Sequence, residues 1–258
     1  MSTILFNEIV FGPIKSRRLG NSLGVNLSPK YGKVCSFDCI YCECGWNKDG
    51  KKDSKLPSFN EVEDELVSKL TKFKADGISI DTITFSGNGE PTLHPKFPEI
   101  IALTIKLRNE LFPNANVSVL SNATQIHKKA VKEALLSIDN AILKIDSALD
   151  SLVTIIDKPY RSYSLKKTIE TLKEFNGNFI LQTIFFKGNY KGTIIDCTSK
   201  ENVESWRKLA RYLNPKSIMI YTIDRETPAL GLQKASIEEM RIIAQPLIDE
   251  GFEVQISG

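Results

Sequence analysis

Residues 81–95 read DTITFSGNGEPTLHP. The β-branched and aromatic run DTITFS (81–86) stops at a glycine-bearing loop, and the segment that follows, 97–111, has helical period. A short apolar run, a polar loop and a helix in that order make one βα unit. The same order recurs on both sides. Further strands are expected at SLGVNL (22–27), NVSVLS (116–121), NAILKID (140–146), NFILQTIFF (178–186) and KSIMIYTI (216–223), with FEVQIS closing the chain. Helices are expected after Ser58 and over 97–111, 125–137, 163–176, 199–213 and 236–250. Ser58 stands three residues before Glu61, the spacing of a capping box, and Val62, Leu66, Leu70 and Phe73 follow on one stripe.

Most of these strands are near-continuous apolar runs, as parallel strands covered on both faces require. Six βα units in succession predict a parallel sheet with right-handed crossovers and helices packed outside it. Six is fewer than the eight of a closed barrel. The expected fold is therefore α/β, an open, partial (βα)6 TIM-like barrel. Residues 1–21 are expected to form a short leader, 22–223 the six-stranded core, and 224–258 a closing helix and strand of the same domain. The unusual segments, CSFDCIYC, SGNGEPTLHP, SNAT, DSALD and IDRETPALGL, all fall at or just after a predicted strand. In parallel α/β folds that rim carries the chemistry, so one site is expected there.

Composition narrows the class. The 258 residues are 41% hydrophobic and 25% charged, which excludes disordered, collagen-like and disulfide-stapled chains. Thirty-four Lys and Arg against 31 Asp and Glu give a net charge of +3, too small to argue for nucleic acid. No apolar run is long enough to span a membrane, and the first residues lack the order of a signal peptide, so a cytoplasmic, reducing location is expected. Four of the five cysteines (Cys35, Cys39, Cys42 and Cys44) fall within ten residues, while Cys197 stands alone. Clustered cysteines in a reducing compartment point to a metal rather than to disulfides. Cys35-x3-Cys39-x2-Cys42 offers three thiolates, which on a [4Fe–4S] cube leaves one iron open. Structural zinc needs four ligands, and Cys44 is the available fourth, at an unusually short spacing from Cys42.

CSFDCIYC also matches the CxxxCxΦC signature, with Tyr41 as the aromatic Φ, and so the chain resembles the radical S-adenosylmethionine (SAM) enzymes. FGPIKSRRLGNSLGVNL, TFSGNGEPTLHP and YTIDRETPALGL are similar to segments of the branch that includes wyosine-base synthases and their bacterial relatives, and the resemblance covers nearly the whole chain. It implies one [4Fe–4S] cluster on Cys35, Cys39 and Cys42, with SAM chelating the open iron. It also implies a one-electron donor such as a flavodoxin or ferredoxin, and a 5′-deoxyadenosyl radical that takes hydrogen from a substrate, an RNA base in that branch. Archaeal wyosine-base synthases carry further cysteines before the motif for a second cluster. No cysteine precedes Cys35 here, so one cluster is expected.

By the same resemblance, Gly87, Asn88, Gly89 and Glu90 contact the SAM amino group, Ser121 and Asn122 the ribose, and Tyr41 the adenine. Ser121-Asn122 also reads as a strand-end Asx turn. Lys144 and Asp146 lie two apart on one face of their strand, as a structural ion pair or as SAM or substrate contacts. Gln182 is a candidate of the same kind, and Tyr221 and Ile223 border the adenine or pack the core. Arg17, Arg18 and Arg225 are surface charges or contacts to a substrate or the SAM carboxylate. His94 follows the GNGE loop toward the site, His127 reads as exposed, and Cys197 as a buried thiol. Lys48, Lys51, Lys52 and Lys55 form a solvated loop or an RNA contact. Two alternatives use the same cysteines: an activase that installs a glycyl radical on a partner protein, and a zinc-stabilised binding module with Cys44 as the fourth ligand.

Overall fold

The computed structural model describes residues 4–49 and 53–258, so Lys51 and Lys52 lie outside the described residues. The principal sheet has eight strands in an order that never doubles back: β1 (Val10–Ser16), β2 (Gly20–Val25), β3 (Thr82–Phe85), β4 (Asn116–Ser121), β5 (Asn140–Lys144), β6 (Ile180–Ile184), β9 (Ser217–Tyr221) and β11 (Val254–Ser257). β1 is antiparallel to β2, and every later pairing is parallel. A second, antiparallel sheet is built from β7 (Phe186–Tyr190), β8 (Thr193–Asp196) and β10 (Leu232–Lys234).

Six crossovers link the seven parallel strands. They carry α1 (Phe59–Ala75), α2 (Phe97–Leu111), α3 (Lys129–Leu136), the pair α4 (Asp150–Ile156) and α5 (Leu165–Lys173), α6 (Lys200–Leu213) and α7 (Ile237–Asp249). This is a curled, mostly parallel half-barrel, the partial TIM-like α/β fold expected from the alternation. The described core is wider than the six strands expected. FGPIKS, within the presumed leader, forms the edge strand β1, and the closing strand β11 pairs with β9 inside the same sheet. The run 178–186 also divides. β6 ends at Ile184, and Phe186 begins β7, which turns away to pair with β8 and β10.

The strand faces explain the core. Ile83, Phe85, Val117, Val119, Leu143, Leu181, Ile218 and Ile220 are fully buried between sheet and helices. The alternate positions face the concave lumen. Ile142, Ile180 and Met219 form a small apolar plug there, joined by Leu19 and Leu120. Toward β2–β4 the lumen is polar: Ser22 Oγ donates to Thr84 Oγ1 at 2.8 Å, and Thr82 and Ser118 meet at 2.9 Å. Ser58 begins α1 with both arms of a capping box, as its spacing to Glu61 predicts. Pro246 inside α7 has no N–H for the Ile242 carbonyl, and Arg207 Nη2 donates to that oxygen instead at 2.9 Å. Among the described residues no helix is long and apolar enough to cross a membrane.

Candidate active site

The four clustered cysteines lie on the loop between β2 and α1, at the carboxyl end of the parallel strands. Two neighbouring segments hold that loop in place. On one side Val34 makes an isolated parallel bridge with Gly89: Val34 N–H donates to the Asn88 carbonyl at 3.1 Å, and Glu90 N–H donates back at 3.0 Å. The backbones approach so closely that a Cβ on Gly89 would overlap the Val34 carbonyl oxygen, which is why the loop needs glycine there. On the other side Phe37 bridges Pro159, just past α4, and Ile40 N–H donates at 2.9 Å to the carbonyl of Ile156, the last residue of that helix. Within the loop, Asn47 Nδ2 donates to the carbonyls of Cys35 (3.2 Å) and Phe37 (3.0 Å).

Each cysteine of the triad has a nitrogen donor beside it. Asn122 Nδ2 lies 3.5 Å from Cys35 Sγ, and Lys144 Nζ lies 3.6 Å from Cys39 Sγ. The Lys33 ammonium stands near Cys42 and favours its thiolate, and it donates to the Gly45 carbonyl at 2.7 Å. Burial pushes the Cys35 thiol up to about 12 and Cys39 well above the usual thiol range. Cys42 is drawn down to about 5, first by a hydrogen bond from Cys44 and, against its burial, by Lys33. Burial alone would lower Lys33, but the nearby Cys42, Cys35 and Cys39 raise it. Cys44 is the odd member: its sulfur sits within reach of Cys42 and 3.3 Å from the Gly87 carbonyl.

Among the described residues, no three His, Cys, Asp or Glu side chains converge as they would around a single metal ion. An iron–sulfur cube takes each cysteine on a different iron. Three thiols on one braced loop, each with a cationic or amide donor at its sulfur, fit the ligand set of such a cluster.

The GNGE residues meet partners inside the protein. Glu90 is buried, and its two oxygens accept from Thr92 N–H (3.1 Å), the Thr92 hydroxyl, Ser121 Oγ (2.7 Å) and Asn122 N–H (2.6 Å). Burial raises its carboxyl, and these four donors oppose the rise. Glu90 therefore ties the loop after β3 to the end of β4. Asn88, fully buried, reaches Phe6 and Pro29 through Nδ2 at 2.8 Å each. Asn122 forms the Asx turn, accepting from Thr124 N–H at 3.1 Å, and also reaches Cys35.

Opposite them, β5 delivers Lys144 and Asp146 on one face, joined at 2.7 Å. Lys144 Nζ also donates to Tyr41 Oη at 2.6 Å and pairs with Asp157, which the sequence reading did not single out. Tyr41 Oη bonds both carboxylates, while its ring packs 5.5 Å from Phe186. Burial, and then Asp146, push Asp157 up to about 7 against the pull of Lys144. Burial would depress Lys144, and the two carboxylates raise it well above its usual value.

Below the loop the lumen holds a cavity of about 540 Å³, within the range of small-molecule sites. Tyr41, Cys42, Ser86, Tyr221 and Ile223 line it, together with Arg17, Arg18 and Arg225. Gln182 is buried in β6, in register with Lys144, and does not border this cavity. His94 does not face the site; it is buried, with Nε2 at 2.7 Å from the Pro57 carbonyl and Nδ1 accepting from Lys96 N–H. His127 is exposed and Cys197 buried. Lys55 is exposed and lies 3.7 Å from Glu61.

Comparison with known proteins agrees with this geometry. The model of the Radical SAM superfamily matches residues 30–213. The chain is 31% identical over 235 residues to a protein named GTPase Obg from Brachyspira hyodysenteriae, covering 90% of this chain and 32% of that one. It thus spans about a third of that relative's length. The G-x-x-x-x-G-K-S/T loop that cradles nucleotide phosphates is absent from this sequence. A UPF0026 protein of Methanocaldococcus jannaschii is 30% identical over 239 residues, covering 89% of this chain and 68% of that one. In fold, the chain resembles a radical SAM methyltransferase from Sphaerobacter thermophilus, with TM-score 0.66, 16% identity, and coverage of 91% of this chain and 65% of that one. It also resembles TYW1 with a lysine–pyruvate adduct bound, with TM-score 0.61, 16% identity, and coverage of 90% and 74%. The chain belongs to the radical SAM superfamily and, within it, to the UPF0026 family.

Proposed function

We propose that this enzyme holds one [4Fe–4S] cluster on Cys35, Cys39 and Cys42 and uses it to cleave SAM reductively at the mouth of the half-barrel. The observation that carries the reading is the triad itself: three cysteines at CxxxCxΦC spacing on a loop braced from two sides, above a lumen cavity of about 540 Å³. Held by these three cysteines, the cluster would supply one electron, taken from a flavodoxin or ferredoxin, for reductive cleavage of SAM to a 5′-deoxyadenosyl radical able to abstract hydrogen from a substrate.

The chain's own residues supply position and environment. The Val34–Gly89 and Phe37–Pro159 bridges brace the loop from two sides and so fix the backbone from which Cys35 and Cys39 project. Asn122, Lys144 and Lys33 direct N–H groups at the sulfurs, and such outer donors tune a metal centre. Cys44, hydrogen-bonded to Cys42, belongs to this outer layer rather than to the ligand set. Tyr41, anchored through its hydroxyl, presents its ring to the cavity as a fixed wall. Glu90 and Asn88 act through the loops they join. The walls of the lumen, with Tyr41, Tyr221 and Ile223 among them, limit the contact of a reactive radical with bulk water.

Anaerobic reconstitution followed by chemical reduction tests the reading. The wild-type protein is expected to take up about four irons and four sulfides and to form 5′-deoxyadenosine from SAM, and Cys39→Ala to do neither. A filled cluster with no SAM cleavage would refute it. Running the same assay with and without bulk RNA tests an RNA base as substrate, since a substrate stimulates cleavage.

A further inference from the structure

Four cations border the lumen cavity (Lys15, Arg17, Arg18 and Arg225) against two carboxylates, Glu43 and Asp224. The carboxylates are both engaged: Arg17 pairs with Asp224 at 3.1 Å and Arg225 with Glu43 at 3.0 Å. Arg18 differs. It stands on the turn between β1 and β2, and its side chain runs into the lumen, so that the guanidinium carbon lies 4.9 Å from the centre of the Tyr221 ring. None of the ion pairs among the described residues involves it, and its Nη1 is buried with no hydrogen-bond partner.

A buried charged donor left unsatisfied is costly and rare in native proteins. Tyr221 accounts for one face of the guanidinium plane. Nη1, on the edge that carries the N–H donors in a fork suited to a carboxylate or phosphate, has no acceptor among the described residues. Ser22 and Thr84, 2.8 Å apart, line the same cavity and add hydroxyls of the right size and polarity. Burial lowers the Arg18 guanidinium from its usual value and Arg17 adds to the fall, while Tyr221 and Glu43 oppose it.

We propose that the edge of Arg18 binds a carboxylate or phosphate of the substrate inside the lumen, so that the substrate is a small anionic molecule. This rests on the reading of the lumen as the reaction chamber. The rim arginines, already paired, guide and enclose; Arg18 makes the deciding contact.

The test uses the cluster-loaded protein without reductant, so that it stands apart from SAM cleavage. Melting temperature and calorimetric binding are measured with inorganic phosphate, pyrophosphate and malonate against chloride at matched ionic strength. At least one probe is expected to bind and stabilise the wild type, Arg18→Gln to weaken that binding at least tenfold, and Arg18→Lys to keep part of it. Lys200→Gln, which removes an exposed cation of α6 that does not border the cavity, is expected to bind the probe as the wild type does. The proposal fails if no probe exceeds chloride on the wild type, or if Arg18→Gln binds like the wild type. It also fails if, in reconstituted protein, Arg18→Gln weakens SAM binding but not decarboxylated SAM, which would assign the guanidinium to the cofactor's own carboxylate. Failure on any of these leaves the 5′-deoxyadenosine assay to decide the cleavage chemistry by itself.

Discussion

On the β3–β4 side of the mouth, Glu90 is one buried carboxylate held by four neutral donors. On the β5 side, Asp146 and Asp157 share a single cation, Lys144, with Tyr41 between them. Both sides are largely buried, and both touch the cysteine loop: Asn122 reaches Cys35 and Lys144 reaches Cys39. The difference is in what each can withstand. Neutral donors fix geometry without introducing a second charge, so the Glu90 side behaves as a clamp between loops. The Lys144 side balances charge against charge, so removing one member strands the others.

That contrast sets the order of expected effects. Lys144→Met leaves two buried carboxylates without a cation and is expected to cost about 3–5 kcal/mol in urea denaturation. Adding Asp157→Asn should recover part of the loss, because the pair is coupled; strict additivity of the two changes would break this account. Glu90→Gln puts an amide nitrogen where one oxygen accepts, leaving a buried N–H of Thr92 or Asn122 unmatched. A loss of about 1–3 kcal/mol is expected, with weaker iron retention.

Glu90 also has a pH signature. Its folded-state carboxyl is raised by burial above its unfolded value, so the folded state holds the proton more tightly. Its contribution to stability is full below the unfolded value and is lost as pH rises through the folded one. Melting of the wild type should therefore soften over that interval relative to Glu90→Gln, and identical pH profiles would contradict the burial account. Smallest is Ser58→Ala, which removes the cap of α1 on the outer surface and is expected to cost about 1 kcal/mol with no change in iron content.

Much of this was legible in the chain. The βα alternation predicted the half-barrel, and 97–111 and 116–121 match α2 and β4 residue for residue. The two-residue spacing of Lys144 and Asp146 correctly placed them on one face. Other features were hidden for physical reasons. FGPIKS reads poorly as a strand because proline is confined to sheet edges, and an edge is where β1 lies. Asp157 sits at the end of α4, a seven-residue helix, and only tertiary packing brings it to Lys144. Glu90 reads as a free acceptor until the parallel register of β3 and β4 brings Ser121 and Asn122 alongside it. The isolation of Arg18 among paired arginines is equally a property of the packed lumen, since sequence does not reveal which carboxylates its neighbours take.

The central claim, a cluster on three cysteines with one iron open to SAM, is tested most directly by electron paramagnetic resonance of the reconstituted, reduced protein before and after SAM is added. The account predicts a reduced [4Fe–4S] signal whose shape changes with SAM and which is absent from Cys39→Ala but retained in Cys44→Ala. A protein that carries zinc without iron or sulfide, or a cluster signal that SAM leaves unchanged, would contradict it.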